Sequence, residues 1–108
     1  MSKLKAKGSR GSWFAEVDGE RLPCVHEHWA RKWPDYNDPG IKPGGRKENE
    51  YIDAIKNGTV ILTTDDVVSQ EPFRFSRTGY VAIYTVEDVT ADDSGISFRF
   101  VSRTYNLL

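Results

Sequence analysis

Trp13-Phe-Ala-Glu-Val-Asp-Gly-Glu-Arg-Leu-Pro-Cys24 decides the fold class. Trp13–Val17 reads as a strand, Asp18-Gly19 is the preferred pair for a two-residue type I′ turn, and Glu20 onward returns as a second strand. That loop fixes the register: Val17 faces Glu20, Glu16 faces Arg21, Ala15 faces Leu22 and Trp13 faces Cys24. Trp13, Ala15, Val17, Leu22 and Cys24 then share one mostly apolar face, which turns Cys24 toward the core.

The returning strand runs on through Cys24-Val-His-Glu-His28. Alternate residues of a strand share a face, so Cys24, His26 and His28 line up, bringing together the only thiol and both histidines of the chain. Zinc accepts such ligands. Cys24 and His28, however, lie about 13 Å apart at strand rise, too far for one ion. A metal would need His26 with one of the other two, plus Asp35, Asp38 or another carboxylate. For catalysis, Cys24 with His26 as base, or Glu27 with a loop aspartate, are the available pairs. No motif joins an acid, a base and an oxyanion donor, and a buried cysteine is inert. These residues point away from an enzyme.

Trp33-Pro34, Asp38-Pro39-Gly40 and Pro43-Gly44-Gly45 punctuate residues 30–46, which predicts a long loop and no regular element. Loops of that length in small domains carry function. Trp29, Arg31, Lys32, Trp33 and Tyr36, with Arg46 at the far end, set aromatic planes among cations, the combination that stacks bases and holds phosphates. The competing reading has both tryptophans capping the core.

Further on, Tyr51, Ile52 and Ile55 recur at helical spacing within Lys47–Lys56, and Asn57-Gly58 supplies a C-terminal cap. Thr59–Thr64 reads as a buried strand, 65–72 as a loop and Phe73–Phe75 as a short strand before Gly79. Tyr80–Val89 and Ile96–Tyr105 form a second hairpin around Asp92-Asp-Ser-Gly95. Ile96, Phe98 and Phe100 occupy its core face. Phe-Arg-Phe occurs at 73–75 and again at 98–100, which offers Arg74 and Arg99 as a basic stripe on one outer surface.

The 108 residues suit one domain: a flexible basic arm over 1–11 and a globular part over 12–108. Net charge is −1, but Lys3, Lys5, Lys7 and Arg10 face no acid in the first ten residues, an arm that either touches phosphates or is solvated. A single cysteine excludes an internal disulfide, no apolar run approaches a membrane span, and the start lacks a secretory signal. A soluble, reducing, cytoplasmic setting follows, with no membrane partner. Pro43-Gly44-Gly45-Arg46 is a turn and not a Walker sequence.

Gly58-Thr-Val-Ile-Leu62, Gly79-Tyr-Val-Ala-Ile-Tyr-Thr-Val-Glu-Asp-Val89 and Ser97-Phe-Arg-Phe-Val101 resemble the later strands of PUA-like domains, especially the EVE type. The resemblance covers residues 58–101 and rests on hydrophobic spacing and two glycines. It implies a pseudobarrel, and many such domains bind RNA or modified DNA bases. The family's usual opening strand has no counterpart here, so none of its binding residues carries over. Gly19 with His26-X-His28 is similar to the start of a cupin metal motif, but the glutamate and third histidine that complete it do not follow.

The sequence thus predicts a β-rich α+β domain, a small bent sheet or partly closed pseudobarrel with one short helix. Its expected function is non-enzymatic binding of nucleic acid or a nucleotide through Trp29, Arg31, Lys32, Trp33, Tyr36, Arg46 and Arg74. The alternatives are a metal- or ligand-binding barrel centred on Cys24, His26 and His28, with zinc as the metal, and a protein-interaction module using the same aromatic loop.

Overall fold

A computed structural model describes the backbone of residues 6–8, 13–70 and 73–107, and the side chains of 13–64 and 79–107. Strands β2 (Phe14–Val17) and β3 (Glu20–His26) form the hairpin in the register set by the Asp18-Gly19 turn. Asp18 (φ 51°) and Gly19 (φ 79°) both adopt the positive φ that a type I′ turn requires. The Cys24 amide donates to the Trp13 carbonyl at 2.8 Å, extending the ladder by one step. A three-residue strand, β1 (Ala6–Gly8), lies antiparallel to β2. It falls within the expected basic arm, whose other residues up to 11 lie outside the described ones.

At Cys24 strand β3 passes from one neighbour to the next. Its last three residues pair in parallel with β5 (Thr59–Gln70), Cys24 opposite Ile61 and His26 opposite Thr63. Beyond β5 come β6 (Phe73–Asp92), β7 (Gly95–Asn106) and the short edge strand β4 (Asp35–Asp38). The result is a mixed sheet of six principal strands, with β1 added at one edge, in the order β1-β2-β3-β5-β6-β7-β4. The end strands do not pair with each other, so of the two expected forms the bent, open sheet is the one adopted.

The only α-helix among the described residues, α1 (Arg46–Lys56), buries Tyr51, Ile52 and Ile55 as their spacing predicts. It ends at Asn57, where Gly58 takes φ 97°. Alternation along β5 and β6 splits the interior in two. Val60, Leu62, Ala82 and Tyr84 join the helix residues, Phe14, Val25 and the aromatic face of β7 in the larger cluster. Ile61 and Ile83 meet Ala15, Val17, Leu22, Cys24 and Leu107 on the other side. Both faces of the central strands are therefore covered, the second one by the hairpin curling back.

Several expectations are corrected. Trp13 packs against the larger cluster, not with Ala15 and Val17, because β2 begins only at Phe14, which leaves Trp13 at a bend outside the strand's alternation, where its ring meets Tyr51 edge-on at 5.3 Å. The segment 30–46 contains a strand: Asp35-Tyr-Asn-Asp38 lies between two prolines with none inside it, alternates exposed and buried, and pairs with β7. Residues 65–70, read as loop, continue β5, and β6 runs through Gly79 unbroken from Phe73, accommodating register shifts along the way. Their polar composition hid a strand because one partner in a ladder is enough to hold it.

Candidate functional site

Strand β4 lays Asp35 opposite Arg99, Tyr36 opposite Phe98 and Asn37 opposite Ser97. Opposed residues of an antiparallel pair share a face, so Asp35, Asn37, Ser97 and Arg99 form one polar face while Tyr36 and Phe98 turn to the core. Asn37 Nδ2 donates to Ser97 Oγ at 2.8 Å and to the Ile96 carbonyl at 3.3 Å, pinning the edge strand to β7. Trp29, Arg31 and Lys32 approach from the preceding loop, with Pro39 at one end and Asp88 of β6 beside them. Together with Tyr36 and Phe98 these residues line a cleft of about 530 Å³, within the range of small-molecule sites.

Trp29 closes a 3₁₀ turn, Glu27–Trp29, and is half-buried against the core, which holds its indole in place. His28 sits edge-on to it, ring centroids 4.6 Å apart at 85°. Arg31 donates from Nη2 to His28 Nε2 at 3.1 Å and from Nε to the His28 carbonyl at 3.3 Å. The two contacts tie the Arg31 side chain to His28 at the edge of the cleft. The Arg21–Glu50 ion pair lies outside the cleft, and no ion pair within 4 Å joins Lys32, Asp35, Asp88 or Arg99 to another described residue. Lys32, Asp35, Asp88 and Arg99 therefore line one cleft with both signs of charge and without neutralising each other by direct contact.

The 3₁₀ turn also undoes the expected row of Cys24, His26 and His28. Strand β3 stops at His26, and the tighter turn carries His28 out of the alternation toward Trp29. Cys24 is buried in the smaller cluster. His26 lies with Nδ1 3.3 Å from Thr63 Oγ1, and its amide donates to Tyr36 Oη at 3.2 Å. Asp38 comes near both histidines, but among the described residues no group of three or more His, Cys, Asp and Glu is placed to hold a metal ion. Burial raises the Asp38 carboxyl above its ordinary 3.8; the Gly40 amide, donating to Oδ1 at 2.9 Å, and the His26 and His28 charges oppose that rise.

Of the residues singled out from the sequence, Trp29, Arg31, Lys32 and Tyr36 line the cleft. Tyr36 does so from the core, 2% exposed and stacked on Phe98 at 4.5 Å, so its ring is not a free platform. Trp33 lies outside the lining. It stacks on Phe100 at 4.5 Å and 13° and remains 51% exposed. Trp33 thus covers the core aromatics Phe100 and Tyr84, Trp29 packs against the larger cluster, and each keeps surface of its own. Arg46 is exposed on the first turn of α1, away from the cleft lining, and the Arg74 side chain lies outside the described ones.

Asn37, Asp88 and Ser97 were not legible as site residues. The signal for Asn37 and Ser97 was the alternation of each strand, but their meeting depends on the β4–β7 pairing. Asp88 owes its place to a bulge: Glu87 pairs with Arg99 and Thr90 with Ser97, so Asp88 and Val89 together stand opposite Phe98. Among the described residues no helix is long and apolar enough to cross a membrane. No known protein family, curated protein or solved structure matches this chain.

Proposed function

We propose that this chain binds nucleic acid or a nucleotide, without chemistry on it, by admitting one nucleotide unit to the cleft between β4, β7 and the 29–32 loop. The observation that carries this is the convergence of a held indole, Trp29, with Arg31, Lys32 and Arg99 around one space of about 530 Å³. A base stacks on an indole whatever its sequence, and the cations meet phosphate. The lining contains neither thiol nor imidazole, so stacking and charge are what it offers. With a net charge of −1, affinity would come from this local patch and not from the field of the whole protein.

The test is fluorescence anisotropy of labelled single-stranded and duplex oligonucleotides at low and moderate salt, alongside quenching of intrinsic tryptophan. Binding that weakens with salt and is lost in Trp29→Ala supports the proposal. No anisotropy change at low salt with any oligonucleotide rejects it.

A second reading rests on a different observation. Trp33, half exposed on an aromatic base, fits the profile of a protein-interaction hot spot. A partner captured by the wild type and lost in Trp33→Ala, with oligonucleotide binding absent, would favour it.

A further inference from the structure

Asp88 is the unexpected group in a site for a phosphate-bearing ligand. It takes φ 55°, a region non-glycine residues seldom occupy, within the bulge that sets it against the cleft. A second carboxylate, Asp35, stands opposite Arg99 in the ladder and is joined by a backbone bridge to Lys32, though no ion pair forms. Asp88 has no such neighbour in the ladder, where its counterpart is Phe98. Its carboxylate also makes no hydrogen bond or ion pair to another described residue. An exposed carboxylate at the mouth of an anion site repels phosphate, so its presence there is explained by a ligand that also carries donors.

We infer that the cleft selects guanine, with the Asp88 carboxylate accepting from the base's Watson–Crick edge while Lys32 and Arg99 face phosphate; this rests on the nucleotide-binding proposal above. An ionised carboxylate offers acceptors only. Guanine presents two neighbouring donors, the ring N–H and the exocyclic amino group, which match two carboxylate oxygens as a guanidinium fork does. Cytosine and adenine present one amino donor beside an acceptor ring nitrogen. Thymine and uracil place their single N–H between two carbonyls that a carboxylate repels. The order of binding is therefore guanine first, cytosine and adenine next, thymine last.

Four dye-labelled pentanucleotides, thymidine throughout except for the central base, separate the outcomes by anisotropy at low salt. The guanine-centred strand should bind about tenfold more tightly than all-thymidine, the discrimination typical of a bidentate base contact. Asp88→Asn, which tolerates positive φ, should remove most of that preference and strengthen all-thymidine binding, since the anion that repels the thymine carbonyls and the phosphate is lost. Asp88→Ala should do the same, and Asp93→Asn on the neighbouring turn should change nothing. Equal affinity for the four strands, or a guanine preference that survives Asp88→Asn, overturns guanine selection while nucleotide binding stands. Absence of binding by every pentanucleotide rejects both.

Discussion

Asp35 and Arg99 face each other across the β4–β7 ladder on its polar side, yet no contact within 4 Å joins them. The two charges hold the cleft floor at opposite signs, and Arg99 is left to engage a ligand. Arg99→Ala should weaken oligonucleotide binding about three- to tenfold and lower the salt slope by about one unit, as loss of one phosphate contact does. Folding stability should move by no more than about 0.5 kcal/mol, because the side chain is exposed. Asp35→Asn should shift affinity the other way. Anisotropy titrations at three salt concentrations check both, and an unchanged slope for Arg99→Ala removes it from the phosphate contacts.

The two tryptophans of the loop should separate cleanly. Trp29 lines the cleft and Trp33 does not. Trp29→Ala should cost about 1–3 kcal/mol in oligonucleotide binding, the range for one lost stacking partner. Trp33→Ala should leave binding within twofold and lower stability by about 1–2 kcal/mol, since the indole covers Phe100 and Tyr84. Denaturant unfolding and anisotropy on both variants decide the matter. Binding lost in Trp33→Ala and retained in Trp29→Ala would move the site to the Phe100 end of the sheet.

How much of this was legible in the sequence depended on the range of the interaction. The Asp18-Gly19 turn dictates its own register within a dozen residues, and Tyr51, Ile52 and Ile55 declare the helix by spacing alone. Residues 96–100 show their core face by simple alternation. Strand β4 escaped because Asp-Tyr-Asn-Asp has little intrinsic strand preference and becomes a strand only by pairing with β7, some 60 residues on. The site went the same way. Trp29, Arg31 and Lys32 are neighbours in sequence and stood out together, whereas Asn37, Asp88, Ser97 and Arg99 are assembled by pairing and by a bulge that no local pattern announces. His28 looked like part of a metal row only while the strand was taken to continue past His26.

Asp38 gives stability a defined pH dependence. Its carboxyl is raised in the native state chiefly by burial, against the opposing Gly40 amide and the two histidines. In the window from its ordinary 3.8 up to the raised value the folded protein therefore binds more protons at this site than the unfolded chain. Stability from Asp38 falls as pH rises through that window and stays lower above it. Asp38→Asn keeps an oxygen for the Gly40 amide and removes the buried charge, so unfolding at neutral pH should require as much denaturant as wild type or more. The difference between the two proteins should shrink as the pH is lowered below the window. A wild-type advantage at neutral pH that disappears in acid would show that the ionised carboxylate is the stabilising form.

Gly95 ties the cleft to the turn between β6 and β7. It has φ 104°, and a Cβ there would stand 2.1 Å from the Asp38 carbonyl oxygen and 2.5 Å from Pro39 Cα. Those atoms belong to backbone and cannot swing aside, so a side chain at 95 must push the end of β4 away from β7. Gly19 offers the matched comparison, since it also has positive φ (79°) but nothing within 4 Å of the added atom. Gly19→Ala should cost about 1 kcal/mol, the backbone penalty alone. Gly95→Ala adds the collision and should cost about 2–4 kcal/mol. Because β4 carries Asp35 and Asn37, Gly95→Ala should also weaken oligonucleotide binding under conditions where the protein remains folded, while Gly19→Ala should leave it unchanged. Equal losses of stability in the two variants, with binding intact in both, would mean that β4 tolerates displacement and that the cleft does not depend on its close seating against the β6–β7 turn.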